Sequence, residues 1–238
     1  MTFSTLNKIP GYLSIAYFVF VCVEIIAELF EYRPLLVILK ILAPSILVVL
    51  YNLKSHTNNP LFFSIILLQL INNTFFLYIT SDIFIYIMLC FILMRIISLI
   101  LVFRLTKRNN YLYITVATFP FLLIFFYLIS ITSEIPEYEF NLLVIQSILI
   151  SLLGGVSIVN YLKSDNVRNS WLLISTLLYM GLRFLVFIER YFLPDNTLLI
   201  YRPIEVFLTS FALYSFYKYV LAAESASKNN FNIHANVS

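Results

Sequence analysis

The chain has 238 residues, of which 61% are apolar, 17% aromatic and only 11% charged, where soluble domains carry about 25% charged residues. That composition excludes a single water-soluble core with a polar surface and fits a chain whose solvent is lipid. The net charge of +3 is too small, and its basic residues too scattered, to support nucleic-acid binding.

A spanning helix needs about 20 mostly apolar residues. Eight such runs follow one another, at 12–30, 34–51, 61–79, 83–103, 111–131, 140–161, 170–190 and 198–221. They predict an all-α membrane protein, a single eight-span domain over residues 1–221. Lys8 before the first run resembles the start of a signal sequence. Glu24 and Glu28 interrupt the end of that run and no small-residue cleavage site follows, so it is expected to remain as the first span. The runs are broken by charge or turn chemistry at Arg33-Pro34, Lys54–Pro60, Ser81-Asp82, Arg104–Asn110, Ser133–Glu139, Lys163–Asn169 and Pro194–Asn196. These connections are short, so neighbouring spans are antiparallel. The runs are continuous rather than alternating, which favours helices over a barrel. Cys22 and Cys90 lie inside apolar runs and read as small hydrophobes rather than a disulfide. Residues 222–238 are polar and rich in Asn and Ser, and are expected to form a disordered cytoplasmic tail.

Orientation follows from basic residues in short loops. Lys8, Lys54, Arg104, Lys107, Arg108, Lys163, Arg168 and Lys228 fall on one side, with Lys218 near the same end. The other side has Arg33, Arg190 and Arg202 and the acidic residues Glu134, Glu137 and Glu139. Both termini are therefore expected in the cytoplasm. Richness in Ile, Phe, Tyr and Asn suggests an AT-rich bacterial source and hence an inner membrane. A short echo links two helix starts: Tyr32–Leu39 matches Tyr201–Leu208 at five of eight positions. Proline suits the first turn of a helix, and Tyr and Arg suit the membrane interface, so the echo does not by itself indicate a duplicated fold.

Ionisable residues inside spans cost about 2.5–3.5 kcal/mol each at the helix centre and should face the bundle interior. Here they are Glu24, Glu28, Lys40, Arg95, Arg183 and Glu205, with Asn72, Asn73 and Gln146 as neutral companions. Glu24, Glu28 and Glu31 share one helix face. At about 1.5 Å rise per residue, Glu24, Lys40, Asn73, Gln146 and Arg183 all fall about 9–11 Å below the outer rim. Glu28 and Glu205 lie above that layer, and Arg95 lies nearer the inner half. The expected result is one polar cavity opening outward, with Glu24–Lys40 as a first ion pair and Glu205 with Arg183 or Arg202 as a second. The same groups could serve only to fix helix packing. Gly154-Gly155 suggests close helix contact, and the sequon Asn72-Asn73-Thr74 lies too deep for glycosylation.

The motifs of soluble enzymes are missing. The two histidines are His56, in a loop, and His234, in the tail. There is no His/Cys metal cluster, no phosphate-cradling glycine loop and no nucleophile elbow, so neither metal nor cofactor is expected. Chemistry would fall to carboxylates, amine, guanidinium, amides and hydroxyls.

Eight compact spans, Arg33-Pro34-Leu35 opening the second, and Arg190-Tyr191-Phe192-Leu193-Pro194 before the last together resemble the YhhN family of lysoplasmalogenase-like membrane proteins. That family has Lys-Pro-Leu at the first motif. Its acid in the third span is replaced here by Asn72-Asn73, and its acid in the seventh falls near Arg183. The resemblance implies hydrolysis of the vinyl ether of a lysoplasmalogen. That reaction needs a general acid to protonate carbon and a carboxylate to stabilise the oxocarbenium ion. Glu24 or Glu205 would be the acid, Glu28 the stabiliser, and Arg33 or Arg202 the phosphate anchor. Lys40, Asn72, Asn73, Gln146 and Arg183 would complete the site for a membrane lipid or lysolipid. The alternatives are a lipid-binding or transport protein using the same cavity, and a non-catalytic assembly protein.

Overall fold

The computed structural model describes residues 9–55, 57–78, 81–106, 111–132, 135–193 and 200–235, with the side chains of 81, 82 and 227–235 left aside. His56, Lys8, Lys107, Arg108, Glu134, Pro194 and Asn196 lie outside the described residues, as do the side chains of Lys228 and His234. All regular structure among the described residues is helical: α1 (Ile9–Leu29), α2 (Arg33–Lys54), α3 (Pro60–Phe76), α4 (Ser81–Leu105), α5 (Tyr111–Ile131), α6 (Glu137–Lys163), α7 (Val167–Phe192) and α8 (Tyr201–Ala235).

Seven of these helices are long and apolar enough to cross a membrane. The eighth, α3, has 17 residues where about 20 are needed; near its polar end Gln69 and Asn72 are buried inside the bundle. Lipid-facing positions are apolar: Val116, Phe119, Leu123 and Tyr127 on α5 are all exposed, a surface that water would not tolerate.

Helix ends follow local chemistry. Pro34 and Pro60 sit in first turns, where the missing N–H costs nothing. Asn59 caps α3 by accepting from Leu61 N at 3.0 Å, and Asn166 caps α7 by accepting from Asn169 N at 2.9 Å. The α1–α2 turn closes with Tyr32 N donating to Ala27 O at 3.0 Å and Glu31 N to Glu28 O at 3.2 Å, a Schellman arrangement. Its left-handed residue is Glu31, with φ 51°, where glycine is usual.

The helices pack as a closed ring, α8–α1–α2–α3–α4–α6–α7 and back to α8, with α2 also touching α8. Helix α5 packs on α6 from outside, with Phe125 stacked on Phe184 of α7 at 4.7 Å. The α5–α6 approach is close because Gly155 has no side chain. A Cβ there would strike Thr118 Oγ1 and the backbone of Ile114 and Thr118, so the close contact expected at Gly154-Gly155 is present.

Helix α8 runs on past the last apolar run, through residues 222–235. Glu224 explains the start of this extension: it is buried, accepting from Tyr51 Oη at 2.5 Å and Ser55 Oγ at 2.8 Å. Those bonds tie the α2–α3 loop to α8. They also show that the end of α2 and the late part of α8 share one end of the bundle. Asn160 donating to Thr106, and Asn169 donating to the Asn160 and Ser164 carbonyls, gather α4, α6 and α7 at their own loop ends.

Candidate functional site: two charged cavities inside the helix ring

At the opposite end from Glu224, the ring encloses a cavity of about 330 Å³. Its charged lining is Glu24, Glu28, Glu31, Arg33, Lys40, Arg202 and Glu205. The expected Glu24–Lys40 pair forms at 3.5 Å, but the closer partner is Glu28, at 2.6 Å from Lys40 Nζ. One helical turn separates the two glutamates, so both reach the same ammonium. The floor is amide. Asn73 donates to Lys40 O at 2.9 Å and accepts from Gln69 Nε2 at 2.7 Å. Asn72, 0% exposed, has neither amide atom hydrogen-bonded, and Gln69 Oε1 is likewise unpartnered. Unmade hydrogen bonds of buried amides are costly, so this floor is built to receive a polar group. Burial of Asn72 also rules out its use as a glycosylation site.

The second expected pair forms with Arg202 rather than Arg183. Arg202 Nη1 lies 3.4 Å from Glu205 Oε2, and its Nη2 lies 3.3 Å from Glu189 Oε1 of α7. Lys40 and Arg202 are thus each held between two carboxylates. Glu205 Oε1 is buried and makes no hydrogen bond. The lining carries four carboxylates against three cations, and Glu189 behind Arg202 adds a fifth. Arg33 and Glu31 are both exposed at the mouth, and neither forms an ion pair among the described residues.

The echo of α2 in α8 is geometric at this cavity. Arg33, Leu36, Lys40 and Pro44 of α2 line it, and so do Arg202, Glu205, Thr209 and Leu213 of α8, the positions that align in the two sequences. The two helices present the same face in the same register.

Gln146 and Arg183, expected in this layer, do not reach the main cavity. They line a second, small cavity of about 30 Å³ with Arg95 and Tyr179. Phe91 and Leu182 line both cavities and form the wall between them. Matching depth along separate helices put the five residues at one level, but a level says nothing about which side of a wall a side chain faces. Gln146 Nε2 donates to Met88 O at 2.8 Å, and the Arg95 guanidinium sits 3.7 Å from the Tyr179 ring centroid. Glu139, grouped with the outer loop by its sequence, is fully buried at the start of α6, where Arg190 and Tyr191 bind it at 3.1 and 2.5 Å.

Two contributors escaped the sequence reading, Glu189 and Gln69, while Glu31 and Arg95 were singled out by it without being given a place in the site. Gln69 had a signal, since it stands three and four residues before Asn72 and Asn73 on one helix face. Glu189 had none, because beside Arg190 it reads as an interface pair. No protein-family model, curated protein or solved structure matches the chain, so its functional reading rests on these residues and their geometry.

Proposed function

We propose that the protein is a membrane-embedded hydrolase that cleaves the vinyl ether of a lysolipid within the larger cavity, as the resemblance to YhhN proteins implies. The observation that carries this reading is Glu205. Its carboxyl lines the cavity, is anchored through one oxygen to Arg202, keeps the other oxygen buried, and lies within side-chain hydrogen-bonding reach of the Glu189 carboxyl. Glu189 shares the same guanidinium, so one proton on the pair leaves a single negative charge facing a single positive one. That proton is the one Glu205 delivers to the vinyl ether carbon.

The chemistry then balances as follows. Protonation of the β-carbon gives an oxocarbenium ion. Water adds to its α-carbon while a cavity carboxylate accepts the water's proton. The hemiacetal collapses to a fatty aldehyde and the glycerol hydroxyl. Glu24 and Glu28, both held by Lys40, are the anions that stabilise the cation. A positioned general acid contributes about 10²–10⁴-fold. Arg202 is engaged by two carboxylates, so the phosphate falls to Arg33. Glu31, two residues away, faces the cationic half of a zwitterionic headgroup. Its left-handed backbone, unfavourable for a side-chain-bearing residue, fits a position retained for its carboxylate.

Asn72 favours a second reading, a lipid-binding or transport protein, because unpartnered amides can hold a ligand without transforming it. Aldehyde release from a lysoplasmalogen by the purified protein separates the two. Turnover that falls at least 100-fold in Glu205→Gln supports hydrolysis with Glu205 as acid. Full turnover in that variant removes Glu205 from the role. Stabilisation by lipid without product supports the binding protein.

A further inference from the structure

The smaller cavity carries an inference independent of lipid hydrolysis. Arg95 of α4 is 6% exposed and Arg183 of α7 has its Nη2 buried with no hydrogen-bond partner. Both line the same space of about 30 Å³ together with Gln146 of α6 and Tyr179 of α7. Neither arginine forms an ion pair among the described residues, whereas Lys40, Arg190 and Arg202 each lie within 3.5 Å of a carboxylate. The remaining lining, Phe91, Ile150, Leu182 and Val186, is apolar. Guanidinium groups do not shed their proton in proteins. Two of them side by side in a low-dielectric interior repel each other strongly, and an unpaired charge at membrane depth is costly. Tyr179 offsets part of this for Arg95, through its ring face and a side-chain hydrogen bond to its hydroxyl oxygen, which leaves the hydroxyl proton free to donate.

We infer that this cavity is a binding site for one small monovalent anion of halide size, held between Arg95 and Arg183. A cavity of about 30 Å³ holds one or two groups of water size, about 10–15 Å³ each on this measure, so a small ion fits it better than a lipid headgroup. The donors suit a halide: two guanidinium groups, the second N–H of the Gln146 amide whose first is spent on Met88 O, and the Tyr179 hydroxyl. The bound ion joins α4, α6 and α7 behind the wall formed by Phe91 and Leu182.

The test is to purify the protein from lysis onward in bromide, chloride or gluconate at equal ionic strength. Melting temperature is then measured against halide, and retained bromide is counted after desalting. The expected result is a melting temperature that rises by several degrees and saturates with halide, with about one bromide retained per chain. Arg183→Met should abolish both, while Arg33→Gln, which removes the arginine at the mouth of the larger cavity, should keep both. If Arg183→Met does not fold, Gln146→Leu decides, since it removes a donor without adding or deleting charge and should move the titration midpoint to higher halide. Equal melting in halide and gluconate with no bromide retained would overturn the inference and leave water as the occupant. A halide response unchanged in Arg183→Met, or in Gln146→Leu where that variant decides, would overturn it as well.

Discussion

The two cavities lie on either side of Phe91 and Leu182 and balance their charges in opposite ways. In the larger one two cations each sit between two carboxylates: the buried Lys40 between Glu24 and Glu28, and the partly exposed Arg202 between Glu189 and Glu205. In the smaller one two arginines line the same space, with no carboxylate among its described lining residues. Burial of charge in a membrane is costly in both places, so the same cost has been met once with excess anion from the chain and once without any. The larger site is therefore one where protons and cations are at home. The smaller one asks for an anion from solution.

The sharpest way to break this comparison is Lys40→Met, which keeps the stem and removes the charge. Glu24 and Glu28 would be left buried and facing each other, a situation that costs about 3–5 kcal/mol in soluble proteins. Unfolding in mild detergent should show a loss of that order, and Lys40→Met with Glu24→Gln and Glu28→Gln should recover most of it. A loss below about 1 kcal/mol, the scale of an exposed pair, would mean that Lys40 is solvated through the cavity and holds neither glutamate. Arg202→Met tests the second cation in the same way. Its side chain is 36% exposed, so solvent screens part of the effect and a loss of about 2–3 kcal/mol is expected. The α7–α8 tie through Glu189 should loosen with it, seen as faster amide exchange at the start of α8.

Much of this arrangement was legible in the chain because charge inside an apolar run is rare and therefore conspicuous. Glu24, Glu28, Lys40 and Glu205 were found that way, and the Glu24–Lys40 pair followed from a tight turn at matching depth, while the partner of Glu205 stayed open between Arg183 and Arg202. Depth was legible too, from the fixed rise of a helix. Azimuth across the bundle was not. The direction a side chain takes around its helix is referenced only to that helix, and which helix faces it depends on ring order, which no short loop dictates. Gln146 and Arg183 were therefore grouped with the larger cavity although Phe91 and Leu182 stand between. The contacts of Glu224 were not legible for a different reason: a polar stretch gives no apolar periodicity, and its partners Tyr51 and Ser55 lie 173 and 169 positions away.

Glu224 also supplies a neutral reference for both cavities, at the other end of the bundle. Tyr51→Phe removes one donor to its carboxylate and the acceptor of Asn59 N without changing any charge. Thermal unfolding should show a loss of about 1.5–3 kcal/mol, the scale of a single hydrogen bond to a charged group. A larger loss than that from Arg202→Met would place the main brace of α8 at this end, and the charge pairs of the larger cavity would then be secondary to stability.

The smallest expected change is the most informative, because its sign differs. In halide-free buffer Arg183→Met deletes one of two like charges that have no carboxylate partner, and methionine is flexible enough to fill the space vacated by the guanidinium stem. Replacing uncompensated buried charge with apolar volume is neutral or stabilising. The melting temperature in gluconate should therefore stay level or rise, by an amount equivalent to about 0–1 kcal/mol, while Lys40→Met under the same conditions lowers it. In saturating halide the comparison should reverse, with wild type the more stable of the two because only it keeps both arginines around the anion. A clear loss of stability in gluconate would mean that Arg183 already has its counter-charge within the protein. The contrast between an acid-rich and an anion-seeking cavity would then fail on the second side, leaving the first intact.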